Sequence, residues 1–461
     1  MTGKELLDRI NSPKASELFS SLYGAEGLDA ARRRYCRLIE EFLCDAPGAF
    51  PRNEFPETAG ELRVFSVPGR TELGGNHTDH NCGKVLAASI HLDAVAVVAS
   101  RRDKNVFFRS LGHPDVKVDI SDLSPGENEK GTTEALVRGI AAEFTAQGTT
   151  VHGFTANAAS MVLPGSGLSS SAVVELLFAK IFDNLYCGGR RNALELAKIG
   201  QKAENAFFGK PCGLMDQTAC ASGGAVAIDF GNLKDPQVRR IGFDPAIAGF
   251  ALCFIDTKGS HADLTPDYAA IPAEMKAAAA FFGKTVLREL DEQTLLSRLT
   301  DLRKSAGDRA VLRALHFYGE NRRVDAMLAA LEGMNSLSPG ASLKEKRKVM
   351  ETFFALVGES GDSSWNLLQN IYSPKNPAEQ GLGLALALTK NFLNSDSAAC
   401  SGKHQGACRV HGGGFAGTIQ AYLPLDRLEE YRNLMEGIFG KGALTVLRIR
   451  PLGAVELDFQ Y

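Results

Sequence analysis

The sequence predicts a protein of mixed α and β structure built from two packed domains, and three observations predict it. Strand-like and helix-like segments alternate along the chain, as they do in mixed architectures. The 461 residues suffice for two cores. A hydrophobic share of 44% beside 23% charged residues is that of an ordinary globular chain, which excludes a disordered or fibrous one.

The elements follow in order. Residues 1–50 read as helical, with Leu38, Ile39, Phe42 and Leu43 on one face and Arg32, Arg33, Arg34 and Arg37 forming a solvated flank. Pro51 and Pro56 end that pattern. Strands are expected at 64–67 and at 85–99, where β-branched and small apolar residues run together. Helices are expected at 132–145 and 172–186, then strands at 225–230 and 250–255. The remainder is mostly helical, over 271–282, 310–331 and 382–392, and closes with strands at 417–423 and 443–450. Residues 232–245 carry two prolines between apolar strands, which puts the junction there and gives domains 1–235 and 236–461.

A net charge of −3 provides no basic field, so no nucleic-acid partner is expected. The nine cysteines are scattered and none forms a CxxC pair; they read as reduced thiols of a cytoplasmic protein. Residues 1–18 lack the basic start and apolar block of a signal peptide, and no apolar run is long enough to span a bilayer, so no membrane partner is expected. The expected state is a monomer or a weak homo-oligomer, with small molecules as partners.

The chemistry begins at Leu163-Pro164-Gly165-Ser166-Gly167-Leu168-Ser169-Ser170-Ser171-Ala172, which runs into an apolar helix. Glycines let a backbone approach a ligand closely, and the helix start offers unpaired N–H groups and a positive dipole end. The serine hydroxyls add donors and possible Mg²⁺ ligands, so the segment from Gly165 to Ala172 is a candidate phosphate cradle. It lacks the GK[ST] ending of a Walker loop. For the loop alone, a serine-rich helix cap is the alternative.

The pattern P-x-G-x-G-L-S-S-S-A resembles the central motif of the GHMP kinases. Two further segments are similar to the galactokinase branch. Residues 68–81, PGRTELGGNHTDHN, resemble its P-G-R-V-N-L-I-G-E-H-T-D-Y-N, and follow a strand with a dense set of polyol-binding groups. Residues 204–217, ENAFFGKPCGLMDQ, resemble its E-x-x-F-x-G-x-P-C-G-x-M-D-Q. Residues 409–417, RVHGGGFAG, resemble its glycine-rich third motif, for which a plain turn is the alternative. Weaker echoes at Ser260-His261 and Tyr268 and at Arg313-Ala314-Leu315-His316 extend the likeness over most of the chain.

The resemblance implies a two-domain fold: an N-terminal ribosomal-S5-like α/β domain, and a C-terminal α+β domain, ferredoxin-like with added helices. It implies transfer of the ATP γ-phosphate to a sugar hydroxyl, galactose first, with ATP and Mg²⁺ as cofactors. Asp216 is implied as the catalytic aspartate and Arg70 as the active-site arginine. Asn76, His77, Asp79, His80, Gly213 and Tyr268 are implied on the sugar, and Gly165, Ser166, Gly167, Leu168, Ser169, Ser170, Ser171 and Ala172 on the phosphates. Glu204 is implied on the metal, with Ser170 or Ser171. Two departures from the pattern bear on the sugar: Asn76 stands for Glu, and His80 for Tyr. An amide at the position that reads C6 tolerates a carboxylate there, which makes galacturonate the alternative substrate. A non-catalytic sugar and ATP sensor is a further alternative, against which stand the retained Arg70, Asp216 and Glu204.

Overall fold

A computed structural model describes residues 2–43, 61–162, 167–259, 264–395 and 406–459. The proline break at Pro51 and Pro56 falls outside them, as do Gly165, Ser166, Ser260 and His261.

The chain's longest strand is apolar at most of its positions. β1 is Arg63–Gly74 and β2 is Lys84–Ser100. Ala94, Ala96 and Val98 of β2 face one core while Val95, Val97 and Ala99 face another, so both faces of this strand are buried. That explains a sequence apolar at nearly every position instead of alternating. Around it lie β3 (Asn105–Ser110), β4 (Val116–Asp119), β5 (Phe154–Ser160), β6 (Ala225–Asp229) and β7 (Gln237–Ile241). A second sheet is made of β8 (Phe250–Asp256), β9 (Ala407–Val410), β10 (Thr418–Pro424) and β11 (Leu444–Leu447). β12 (Val455–Glu456) returns to pair with β1.

The large sheet runs β12-β1-β2-β5-β3-β4, with β6 pairing the first part of β2 and β7 pairing β6. Among the described strands only β3 and β5 pair in parallel. The second sheet, β11-β8-β10-β9, is antiparallel throughout. β7 lies inside the stretch read as the junction and still extends the large sheet, while β12 brings the other end of the chain back to it. One face of the large sheet packs on helices Thr133–Ala146 and Ser170–Tyr186, and the other on the N-terminal helices through Phe19, Tyr35 and Leu38. No helix among the described residues is long and apolar enough to cross a membrane.

Two features position the site. The pairing of β1 with β2 shifts register on either side of Arg70, at Pro68/Arg70 and at Glu72/Gly74. Such irregularities re-aim side chains at a strand's end. Two helices widen into π-turns, at Glu204–Phe208 after Ala193–Ala203 and at Ser364–Leu368 after Leu343–Ser363. Single π-turns recur at functional sites because they rotate the side chains they carry.

Candidate active site

Arg70, at the irregular part of β1, reaches the helix Met215–Ser222. Its Nε and Nη2 both lie 2.8 Å from Asp216 Oδ1. Ser169 Oγ donates to the other oxygen, Asp216 Oδ2, at 2.6 Å. Arg70 Nη1 donates to the Gly167 carbonyl, and its backbone N–H to the Leu168 carbonyl at 3.2 Å. β1, the loop at Gly167–Leu168 and the helix carrying Asp216 therefore converge on one ion pair. Arg70 is nearly buried at 7% exposure, whereas Asp216 keeps 34% and opens toward solvent. Burial pushes the Asp216 carboxyl up, but the Arg70 charge, the Ser169 and Arg70 hydrogen bonds and the Lys210 charge outweigh it and hold it below its ordinary value.

Ser169 is the residue before the phosphate helix, with left-handed backbone (φ 66°), and its side chain does not cap that helix. Its hydroxyl is engaged on Asp216 instead. Ser170 and Ser171 stand half-buried in the first turn of that helix, whose leading N–H groups have no partner within the helix. Leu168 and Ala172 are buried and anchor the turn.

Asp79 and Gly213 meet at the next wall. A Cβ on Gly213 would lie 1.8 Å from Asp79 Oδ2, a separation only glycine permits. Asp79 Oδ1 accepts the His80 backbone N–H at 2.9 Å, and the His80 ring stands 3.8 Å away. His77, in left-handed backbone, has its pKa pushed down to about 3, chiefly by burial. The neutral ring donates Nε2–H to the Gly413 carbonyl at 3.0 Å, which leaves Nδ1 as an acceptor. Tyr268 donates to the Gly414 carbonyl at 3.0 Å and stands edge-on to Phe415, and Gly413 leaves room for its ring. Replacing Gly413's hydrogen by a Cβ would bring it 2.4 Å from Tyr268 Cε1. The glycine-rich segment thus meets His77 and Tyr268 through its backbone carbonyls.

Asn76 lies deeper than the others, 1% exposed. Its Nδ2 donates to Glu72 Oε1 at 3.1 Å and to the Gly412 carbonyl at 2.8 Å, and its Oδ1 accepts from Asn370 at 2.9 Å. Glu72 in turn pairs with buried Arg409. Glu204, 2% exposed, turns inward from its π-turn; Lys210 Nζ sits 3.2 Å from one oxygen and Gln217 Nε2 3.1 Å from the other. Sequence reading did not single out Glu72, Glu175, Lys210, Gln217, Asn370 or Arg409. Glu72, Lys210, Gln217 and Arg409 stand within the quoted motifs, while Glu175 and Asn370 carried no local signal.

Gly213→Ala tests the wall. Asp79 must swing away from the added methyl, and overpacking of this kind costs about 1–3 kcal/mol. The sugar KM is expected to rise roughly ten- to hundredfold at unchanged ATP KM. Steady-state kinetics with each substrate varied checks this, and an unchanged sugar KM would remove Asp79 from the pocket.

Residues 135–224 match the GHMP kinases N terminal domain, and 52–100 match the galactokinase galactose-binding signature. The chain is 35% identical over 292 residues to galactokinase of Streptomyces coelicolor, spanning 61% of this chain and 72% of that one. It is 30% identical over 389 residues to galactokinase of Glaesserella parasuis, spanning 82% and 89%. The fold matches Lactococcus lactis galactokinase complexed with galactose at a TM-score of 0.68 and 24% identity, over 87% of this chain and 96% of that one. A mevalonate kinase matches at a TM-score of 0.55 and 13% identity, over 84% and 98%. The chain belongs to the galactokinase branch of the GHMP kinase superfamily and is an ATP-dependent sugar kinase.

Proposed function

We propose that this kinase phosphorylates the anomeric hydroxyl of galactose, giving galactose 1-phosphate and ADP, with Mg²⁺ as its metal. The observation that carries the reading is the clamping of Asp216 between Arg70 and Ser169, next to the phosphate helix. In this reading Asp216 accepts the hydroxyl proton or, since its carboxylate is a weak base, chiefly orients the hydroxyl for a loose phosphoryl transfer. Arg70 keeps Asp216 ionised and faces the charge that develops on the transferred group. Asp79, His77, His80, Tyr268 and the Gly213 backbone hold the ring. Gly165 to Ala172 hold the phosphates. Domain 1–235 then supplies the sugar and phosphate loops and domain 236–461 the closing third motif.

The donor set fits a hard divalent cation. Glu204 is a buried carboxylate already facing a cation, Lys210, and Ser170 and Ser171 add hydroxyl oxygens on the phosphate helix. Glu204 with Ser170 or Ser171 would hold Mg²⁺, which when bound neutralises charge on the β- and γ-phosphates.

Coupled ADP release with ATP and Mg²⁺ over galactose, galacturonate, glucose, N-acetylgalactosamine and arabinose tests the substrate. Galactose is expected to give the highest kcat/KM; turnover confined to galacturonate would overturn the choice. The pH profile tests the proton acceptor. A carboxyl held below its ordinary value, about 3.9 for Asp, stays ionised further into acid. His77, near 3, likewise stays neutral. At saturating ATP and Mg²⁺, kcat/KM for the sugar is therefore expected to show no acid limb with a midpoint above about pH 5. A midpoint at about 6–7 would assign the proton to another group.

A further inference from the structure

Glu175 stands on the phosphate helix, four residues after Ser171, and none of it is exposed. Its Oε2 accepts Gln217 Nε2 at 2.9 Å, and the same nitrogen donates to Glu204 Oε2 at 3.1 Å. One amide, from the residue after Asp216, therefore spans two carboxylates from two other elements. A wholly buried carboxylate beside another is costly to keep, and an apolar side chain would fill the space without that cost. The helix Ala193–Ala203 approaches it closely: a Cβ on Gly200 would lie 3.2 Å from Glu175 Oε2.

The amide explains what Glu175 does there. Gln217 Oε1 is buried without a hydrogen-bond partner, so nothing on that side fixes which end of the amide faces Glu204. On the other side Glu175 Oε2 and Glu204 Oε2 both take the N–H end. With Glu175 gone, only Glu204 Oε2 and the weaker acceptor Cys212 Sγ, 3.6 Å away, hold the amide, and a rotated Gln217 would turn its oxygen on a carboxylate. On the outer side, Glu204 Oε1 is met at 3.2 Å by Lys210, whose side chain is 61% exposed and so can leave for a metal. We propose that Glu175 is a positioning residue, which through the Gln217 amide holds the Glu204 carboxylate in place for the divalent cation. The inference rests on the reading of Glu204 as metal ligand.

The test is calorimetric binding of the non-hydrolysable ATP analogue AMP-PNP, with and without Mn²⁺. The ratio of the two affinities isolates what the metal adds at the protein. Glu175→Met is expected to cut that gain roughly tenfold, the usual effect of removing a partner behind a metal ligand. Metal-free AMP-PNP and galactose affinities should not move, whereas general damage to the fold would shift both. Glu175→Gln keeps an acceptor for Gln217 and should keep the gain. Should Glu175→Met fail to fold, Gln217→Leu carries the same expectation. If Glu204→Ala loses the gain but Glu175→Met and Gln217→Leu keep it, the positioning role is overturned and Glu204 stands as ligand. If Glu204→Ala keeps the gain, both fall.

Discussion

Replacing Asp216 by alanine is expected to lower kcat by roughly 10²–10⁴-fold, the range a positioned acid or base contributes, while the sugar KM changes far less. Asp79 packs against Gly213, whereas both Asp216 oxygens are held by protein groups, Oδ1 by Arg70 and Oδ2 by Ser169. Its removal therefore strikes the reacting hydroxyl more than the ring. Alanine also strips Arg70 of its partner. Breaking a fully buried pair costs about 3–5 kcal/mol, and the cost here is smaller because Asp216 is one-third exposed. Asp216→Asn separates the two effects. The amide oxygen still accepts from Arg70 and the Ser169 hydroxyl can turn to accept from the amide nitrogen, so the fold is kept while the anionic acceptor is lost. Both variants should lose turnover and only alanine should lose stability. Single-turnover phosphate transfer alongside thermal unfolding separates these outcomes. An active Asp216→Asn enzyme would sink both the base and the orienting role, since a neutral amide neither takes the proton nor attracts it comparably.

The convergence of Arg70, Asp216 and the phosphate loop was legible in the sequence because each lies in a compact motif with its own turn chemistry. What each hydroxyl or amide is engaged with was not. Ser169 read as a phosphate donor or helix cap, yet its hydroxyl lies on Asp216, 47 residues on. Glu175 meets Gln217 across 42 residues and Asn76 meets Asn370 across 294, separations that leave no periodic trace. The same holds for secondary structure. β2 was readable since both its faces are buried and nearly every residue is apolar. β5, FTANAAS, has small residues and little β-branching, so its strand character comes from its place between β2 and β3. The helix Ala193–Ala203 did carry a local sign, the capping box of Asn192 and Glu195. The π-turn that aims Glu204 inward carried none.

Asn76→Glu is expected to fail as a single change and to be rescued by Glu72→Asn. The sequence alone suggests that glutamate at 76 would simply repel a uronic acid and favour galactose. The structure changes that expectation, because Asn76 is buried and its amide nitrogen lies 3.1 Å from Glu72 Oε1. A glutamate there sets two carboxylates against each other and leaves the Gly412 carbonyl without its donor. Two like charges at about 4 Å repel by about 4 kcal/mol at an effective dielectric of about 20, and one buried guanidinium, Arg409, offsets only part of it. The similar family pattern carries Asn at the position of Glu72 and Glu at the position of Asn76, so this chain holds the same two side-chain types exchanged. Glu72→Asn/Asn76→Glu restores one carboxylate and one amide beside Arg409 and should recover most of the lost melting temperature. In that double variant the carboxylate sits on the sugar loop instead of the strand, and kcat/KM for galacturonate relative to galactose should fall. Melting curves and the two kcat/KM values for both single variants and the double decide it. A stable, active Asn76→Glu single variant would show that Glu72 and Asn76 are not coupled. A double variant with recovered stability and an unchanged sugar ratio would remove residue 76 from substrate selection and leave that choice to His77, Asp79 and Tyr268.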